Sequence, residues 1–203
     1  MLPLPWTLPG RMLGVDVSSA QYPSSALMQS AKAAGAVACD VKGCDYDVSR
    51  ATPFMDPRMI AHLQFAKSVG FRTGIYGFFK SGHPWQVQAE QYLRCLDMAG
   101  LQSMRPTIDW EDSTRIIGAP QASLDGVLHW CEFVHVRSGR APQVYCPPSV
   151  LDILARAKVD ASGLLAYDWW AAHYRWDPAT GRDYGLAAPR VVTLGGKPWT
   201  PVA

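Results

Sequence analysis

The sequence has no run of about 18 apolar residues, so no stretch of it reads as a membrane-spanning helix. It also lacks an excess of one charge. Nineteen Lys and Arg stand against 17 Asp and Glu, a formal net of +2, and no basic stripe offers grip on a nucleic acid. Metal-ligand spacing is missing too: there is no HExxH, and Cys39 and Cys44 have no second closely spaced cysteine pair. No Gly-x-Ser-x-Gly, phosphate loop or dinucleotide fingerprint occurs, and no cofactor is expected. The five cysteines are an odd number, which argues against a disulfide framework and for a reducing compartment. The opening Met1-Leu-Pro-Leu-Pro-Trp6 has neither a basic start nor a long apolar run, so no signal peptide is read there.

What is present is an ordinary globular balance, 48% hydrophobic and 18% charged, with enough chain for one substantial core. Short apolar runs alternate with helical patterns. Strands are expected at Met12–Val17, Ala36–Val41, Thr73–Phe79, Pro106–Glu111 and Gln143–Cys146. Helices are expected at Ser24–Ala34, from Asp56-Pro57 to Gly70, from Pro84 to Gly100, over Leu124–Val134 and at Ser149–Lys158. Asp56 reads as a cap with Pro57 at the first helical position. Leu164–Tyr174 reads as one long aromatic strand, and 190–194 and 199–203 as short strands after a turn-rich stretch. Strand–helix alternation implies parallel strands with right-handed crossovers. The expected fold class is α/β, with five β/α units followed by short strands that lack helices. A barrel and an open doubly wound sheet both fit that pattern. Residues 1–11 read as an N-terminal extension and 12–203 as a single domain.

The strongest chemical signal is Pro106-Thr-Ile-Asp-Trp-Glu-Asp112. Strand alternation puts Asp109 and Glu111 on one face and Ile108 and Trp110 on the other. Two carboxylates at the C-terminal end of a strand lie where parallel α/β folds build their sites. Each charge raises the other group's pKa, which favours a protonated acid beside an ionised carboxylate. Asp16 takes the matching place at the end of the first strand, early for a cap on the helix beginning near Ser24. His173 and Cys146 read as structural residues, and Lys42 by default as an exposed strand-end lysine.

Five motifs occur in one order: Gly14-Val-Asp-Val-Ser-Ser19, Tyr76-Gly-Phe-Phe79, Ile108-Asp-Trp-Glu-Asp112, Val144-Tyr-Cys-Pro-Pro-Ser149 and Trp169-Trp-Ala-Ala-His-Tyr174. Over roughly residues 12–175 the chain resembles the family 25 glycoside hydrolases, the Chalaropsis-type lysozymes. The resemblance implies a modified TIM-like barrel. It also implies cleavage of the β-1,4 bond between N-acetylmuramic acid and N-acetylglucosamine in peptidoglycan. By the same resemblance Glu111 is the general acid, Asp109 orients the substrate's own acetamido group as nucleophile, and Asp16 holds substrate or tunes Glu111. Tyr76, Phe78, Tyr145, Trp169 and Tyr174 match cleft-lining positions that stack on sugar faces, and Lys42 is a further contact.

The family's closing Trp-Gln-Tyr segment and last-strand Asp have no match. The barrel is therefore expected to be truncated or closed in another way, with Asp168 and Asp183 as substitutes for the missing Asp. A catalytically weak barrel that binds cell-wall glycan is the second functional expectation, and a glycosidase of another polymer the third. The expected partner is the peptidoglycan glycan strand, with no nucleic acid or membrane. Without a signal peptide, the resemblance fits a phage lysin that accumulates in the host cytoplasm and reaches the cell wall by holin-dependent release, or else an extracellular or virion-associated enzyme.

Overall fold

A computed structural model describes residues 14–102 and 104–170, together with the backbone of strands at 174–177, 182–186, 192–194 and 197–199; for Trp170 and the later strands the description is of backbone alone. The elements run β1 (Gly14–Val17), α1 (Ser25–Ala33), β2 (Ala38–Asp47), β3 (Thr52–Met55), α2 (Met59–Ser68), β4 (Arg72–Phe78), α3 (Trp85–Ala99), β5 (Thr107–Asp109), α4 (Ser113–Gly118), α5 (Pro120–Ser138), β6 (Gln143–Tyr145), α6 (Pro148–Arg156) and β7 (Asp168–Trp170). Four short strands follow: β8 (Tyr174–Asp177), β9 (Arg182–Leu186), β10 (Val192–Leu194) and β11 (Lys197–Trp199).

The main sheet runs β1-β2-β4-β5-β6-β7, with β3 added against β2. Every neighbour pair along that path is parallel, and β3 is antiparallel. The result is an α/β fold with a curled, open parallel sheet, a half-barrel. The two hairpins, β8-β9 and β10-β11, form separate two-stranded sheets.

Local chemistry sets the elements. Ser24 caps α1, its hydroxyl accepting from the Leu27 amide. Gly100 and Gly139 end α3 and α5 in the left-handed conformation, which glycine adopts without steric cost. One face of the sheet is a dry core: Val17, Cys39, Val41, Ile75, Ile108, Val144 and Trp169 are buried against helices that contribute Met59, Leu63, Tyr92, Leu96, Val127 and Trp130. Each large side chain so buried contributes about 1.5–3 kcal/mol against exposure. From α3, the Tyr92 hydroxyl donates to the Ile75 carbonyl and accepts from the Thr107 amide, tying β4 to β5.

Several expectations shift. The five β/α units are present, with β3 and α4 as additional elements, and β2 runs on to Asp47. The helix after Asp56 starts at Met59, and the Asp56 carboxylate serves the Arg58 amide instead of a helical N-terminus. The long strand expected over Leu164–Tyr174 is broken. Residues Ser162–Ala166 form a 3-10 turn, opened by the Asp160 carboxylate on the Ser162 amide, and β7 begins only at Asp168. All five cysteines are buried and free.

Candidate active site

Inter-strand register decides which side chains meet. Asp16 lies beside Asp40, Asp40 beside Gly74, Lys42 beside Tyr76, and Phe78 beside Asp109, which in turn lies beside Tyr145. Because side chains alternate, these residues share the face opposite the dry core. The structure thus brings Asp16, Lys42, Tyr76, Phe78, Asp109 and Tyr145 to one concave face.

β5 ends at Asp109, so Glu111 sits two residues past the strand end, in the turn that leads to α4, and not on the strand itself. Trp110 between them fixes the geometry. It is fully buried, its amide donates to the Tyr145 carbonyl at 2.9 Å, and its indole donates to Ser81 Oγ at 3.0 Å. With Trp110 locked into the core, Asp109 and Glu111 are turned toward the cleft. The Ser113 amide closes the turn on the Glu111 carbonyl at 2.7 Å.

Asp109 is 7% exposed, and its Oδ1 is buried with no hydrogen-bond partner among the described residues. Its pKa is pushed well up by burial first and by the Glu111 charge second, while Lys42 pulls it down. Glu111 is more open, and its pKa is also raised, by partial desolvation and by Asp16, with Lys42 and Lys80 opposing. Asp16 is raised by desolvation. Tyr76 stands among these acids: burial and then the charges of Asp16, Asp109, Asp56 and Glu111 push its phenol upward.

Lys42 is ion-paired with Asp45. A bulge makes this pairing available. The β2–β4 register slips between Lys42 and Cys44, which changes the facing of the residues beyond it. Gly43 sits at the slip, where a Cβ would approach Ile75 Cδ1 at 3.0 Å and the Tyr76 carbonyl oxygen at 3.3 Å. The Phe78 ring carries two cations, Lys42 Nζ at 4.7 Å and Lys80 Nζ at 4.2 Å from its centroid.

Trp169 is not among the cleft residues. It is 4% exposed, pairs in register with Val144 on the core face, and donates its indole N–H to the Leu164 carbonyl. The neighbouring Trp170 takes the register position beside Tyr145. The side chains of Tyr174, His173 and Asp183 lie outside the described residues. Asp168 is ion-paired with Arg105 at the entry to β7, beside Gln143, two register positions before the level of Asp109.

Sequence reasoning missed Asp40, Asp45, Asp56 and Lys80. Asp40 left a signal, a carboxylate inside an otherwise apolar strand. Asp56 does more than the capping expected of it: its Oδ2 accepts from the Ser19 amide at 2.9 Å. Arg58 donates to the Ser19 and Gln21 carbonyls, and His62 Nε2 lies 3.0 Å from the Ser18 carbonyl oxygen. Together they clamp the turn that follows Asp16. Among the described residues no group of His, Cys, Asp and Glu forms a metal cluster. The arrangement is suited to proton transfer: coupled carboxylates in a cleft with aromatic walls.

A family model described as Glycosyl hydrolases family 25 matches residues 15–188. No curated protein matches the sequence. Among solved structures, the fold is similar to a family 25 glycosyl hydrolase from Bacillus anthracis, at 19% identity and TM-score 0.64 over 85% of this chain and 76% of that one. It is similar to the spore cortex lytic enzyme SleM of Clostridium perfringens, at 15% identity and TM-score 0.68 over 89% of this chain and 57% of that one. It is also similar to the catalytic domain of endolysin ply40 from bacteriophage P40 of Listeria monocytogenes, at 14% identity and TM-score 0.57 over 89% and 91%. At such identities these likenesses speak to the fold.

Proposed function

The chain belongs to glycosyl hydrolases family 25, and from that premise we propose that it is a muramidase. Its substrate is the β-1,4 bond between N-acetylmuramic acid and N-acetylglucosamine in peptidoglycan, cleaved with retention and with the substrate's acetamido group as nucleophile. The observation that carries this reading is the coupled pair Asp109 and Glu111, both held toward the protonated form, with a buried Asp109 oxygen that has no partner among the described residues.

In the free site both carboxyls hold a proton more tightly than ordinary ones, and the deeper burial of Asp109 favours it as the holder. An acetamido N–H donating to Asp109 stabilises that carboxylate and moves the proton balance to Glu111. Glu111 then protonates the leaving glycosidic oxygen while the acetamido oxygen attacks the anomeric carbon. Water, deprotonated by Glu111, opens the cyclic intermediate. Substrate-assisted enzymes of this kind stand apart from the pair of carboxylates about 5–5.5 Å apart used for direct nucleophilic attack. Phe78, Tyr76 and Tyr145 offer ring faces to the sugars, and Asp16 tunes Glu111 through its charge.

The test is turnover of purified peptidoglycan by the wild-type chain and by Glu111→Gln, with the new reducing ends identified by mass spectrometry. N-acetylmuramic acid ends that vanish in the variant are expected. N-acetylglucosamine ends would overturn the bond assignment. Tight glycan binding without turnover by a folded chain would overturn the enzyme reading in favour of a binding barrel.

A further inference from the structure

One carboxylate on the cleft face has no part in the proposed chemistry. Asp40 lies in the middle of β2, flanked in register by Asp16 on β1 and Gly74 on β4. Its neighbours Cys39 and Val41 are fully buried on the core face, so Asp40 shares the cleft face with Asp16 and Lys42. Gly74 makes room for it. A Cβ built on that glycine would fall 2.1 Å from Asp40 Oδ1. The carboxylate therefore lies over the β4 backbone where any other residue would place its side chain. A seat open only beside glycine fixes the carboxylate next to Asp16.

We infer that Asp40 is a positioning residue of the cleft: with Asp16 it forms one coupled acid unit, whose second ionisation holds Glu111 in its acid form. The inference rests on the proposed function for its kinetic consequence alone. The charged and titratable groups around Asp40 are Asp16 from β1, Lys42 from β2 itself, Tyr76 from β4, Tyr92 from α3, whose phenol is raised partly by Asp40, and the Cys39 thiol on the opposite face. Burial first, and the Asp16 charge second, push the Asp40 pKa up to about 6. Coupling of this kind is mutual, so the two groups titrate as a pair. Asp16 in turn raises Glu111. Ionisation of Asp40, near pH 6, adds one negative charge to the pair, and that added charge opposes loss of the Glu111 proton. Two unit charges about 5 Å apart, the spacing of adjacent strands, shift one another by roughly 0.5 unit in a water-like dielectric and about 2 units in a protein-like one.

The deciding experiment follows the side-chain carboxyl carbons by NMR across pH 3–9. In the wild type, Asp40 is expected to titrate about two units above an ordinary aspartate, and the Asp16 and Glu111 curves each to bend again at the Asp40 step. Asp40→Asn erases that bend from both. Asp16→Asn, at a more open position and so gentler on the fold, lowers the Asp40 step by roughly 0.5–2 units. On peptidoglycan, Asp40→Asn moves the alkaline limb of kcat/KM to lower pH while near-UV circular dichroism stays unchanged. A merely structural Asp40 would lower activity at every pH and leave the limb in place. Titration of Asp40 near 4, or bends in the Asp16 and Glu111 curves that persist in Asp40→Asn, would overturn the inference. If the wild type turns over no peptidoglycan, the proposed function falls while the carboxyl titration still decides the coupled pair.

Discussion

Asp56 offers a direct test of how the cleft is held in place. Its carboxylate is 1% exposed and accepts two backbone amides, Arg58 N at 2.8 Å on Oδ1 and Ser19 N at 2.9 Å on Oδ2. The second bond spans 37 residues and anchors the turn three residues after Asp16. In Asp56→Ala both amides lose their acceptor. Hydrogen bonds to a charged group contribute about 1.5–3 kcal/mol each, and water reaching the part-buried turn recovers some of that. The expected loss is about 3 kcal/mol. Asp56→Asn keeps one oxygen and turns an N–H₂ toward the other amide, so it is expected to lose about 2 kcal/mol. Urea unfolding followed by tryptophan fluorescence reads this out. With a slope of roughly 2–3 kcal/mol/M, the midpoint for Asp56→Ala falls by about 1 M or more at unchanged slope. Because the anchored turn follows Asp16, kcat/KM on peptidoglycan is also expected to drop by about tenfold or more. An alanine variant within about 0.5 kcal/mol of wild type would refute the account of this clamp.

Lys42 lowers the pKa of both Asp109 and Glu111. Lys42→Met therefore leaves both holding their protons to higher pH, and both limbs of the pH–rate profile are expected to move upward. For stability the sign at Asp40 is the reverse of the usual buried ion pair. Its folded-state pKa, about 6, lies above the ordinary 3.8, so the folded state binds the proton more tightly and stability is lost as pH rises from about 4 to 6. About two units correspond to up to about 3 kcal/mol, so Asp40→Asn is expected to be more stable than wild type at pH 7 and level with it near pH 4, as read by thermal unfolding at the two pH values.

Much of the scaffold was legible because its signals are local. The strand–helix alternation and the glycine stops after α3 and α5 follow from short stretches of chain. The alternation across Ile108, Asp109, Trp110 and Glu111 was readable as well, since core and cleft demand opposite residue types. What escaped was set by contacts distant in sequence. β3 has a Pro in its four residues and forms only because the extended end of β2 offers an edge. The stretch Leu164–Tyr174 is aromatic enough for a strand, but Asp160 and a buried Leu164 turn its first part into a 3-10 helix. The Trp169-Trp170 pair shows the hazard of a one-residue ambiguity: two identical side chains in a row leave the facing open, and the register with Val144 and Tyr145 decides it. Asp40 could be seen in the sequence but not understood without Gly74, 34 residues away.

The balance of charge on the cleft face gives these details a common physical sense. Asp16, Asp40, Asp109 and Glu111 gather where desolvation raises each of them. Two lysines stand near, but Lys42 is already engaged by Asp45, and both lie over the Phe78 ring. The cations temper the acids without neutralising them. A cleft with full counter-charge would hold every carboxylate ionised at neutral pH and would have no proton to give. A cleft with no cation would hold those protons more tightly still and carry less negative charge. The partial compensation seen here leaves all four holding their protons more tightly than ordinary carboxyls. The bulge at Gly43 places Asp45 beside Lys42, and Glu111 stays raised by burial and by Asp16 against the opposing charges of Lys42 and Lys80.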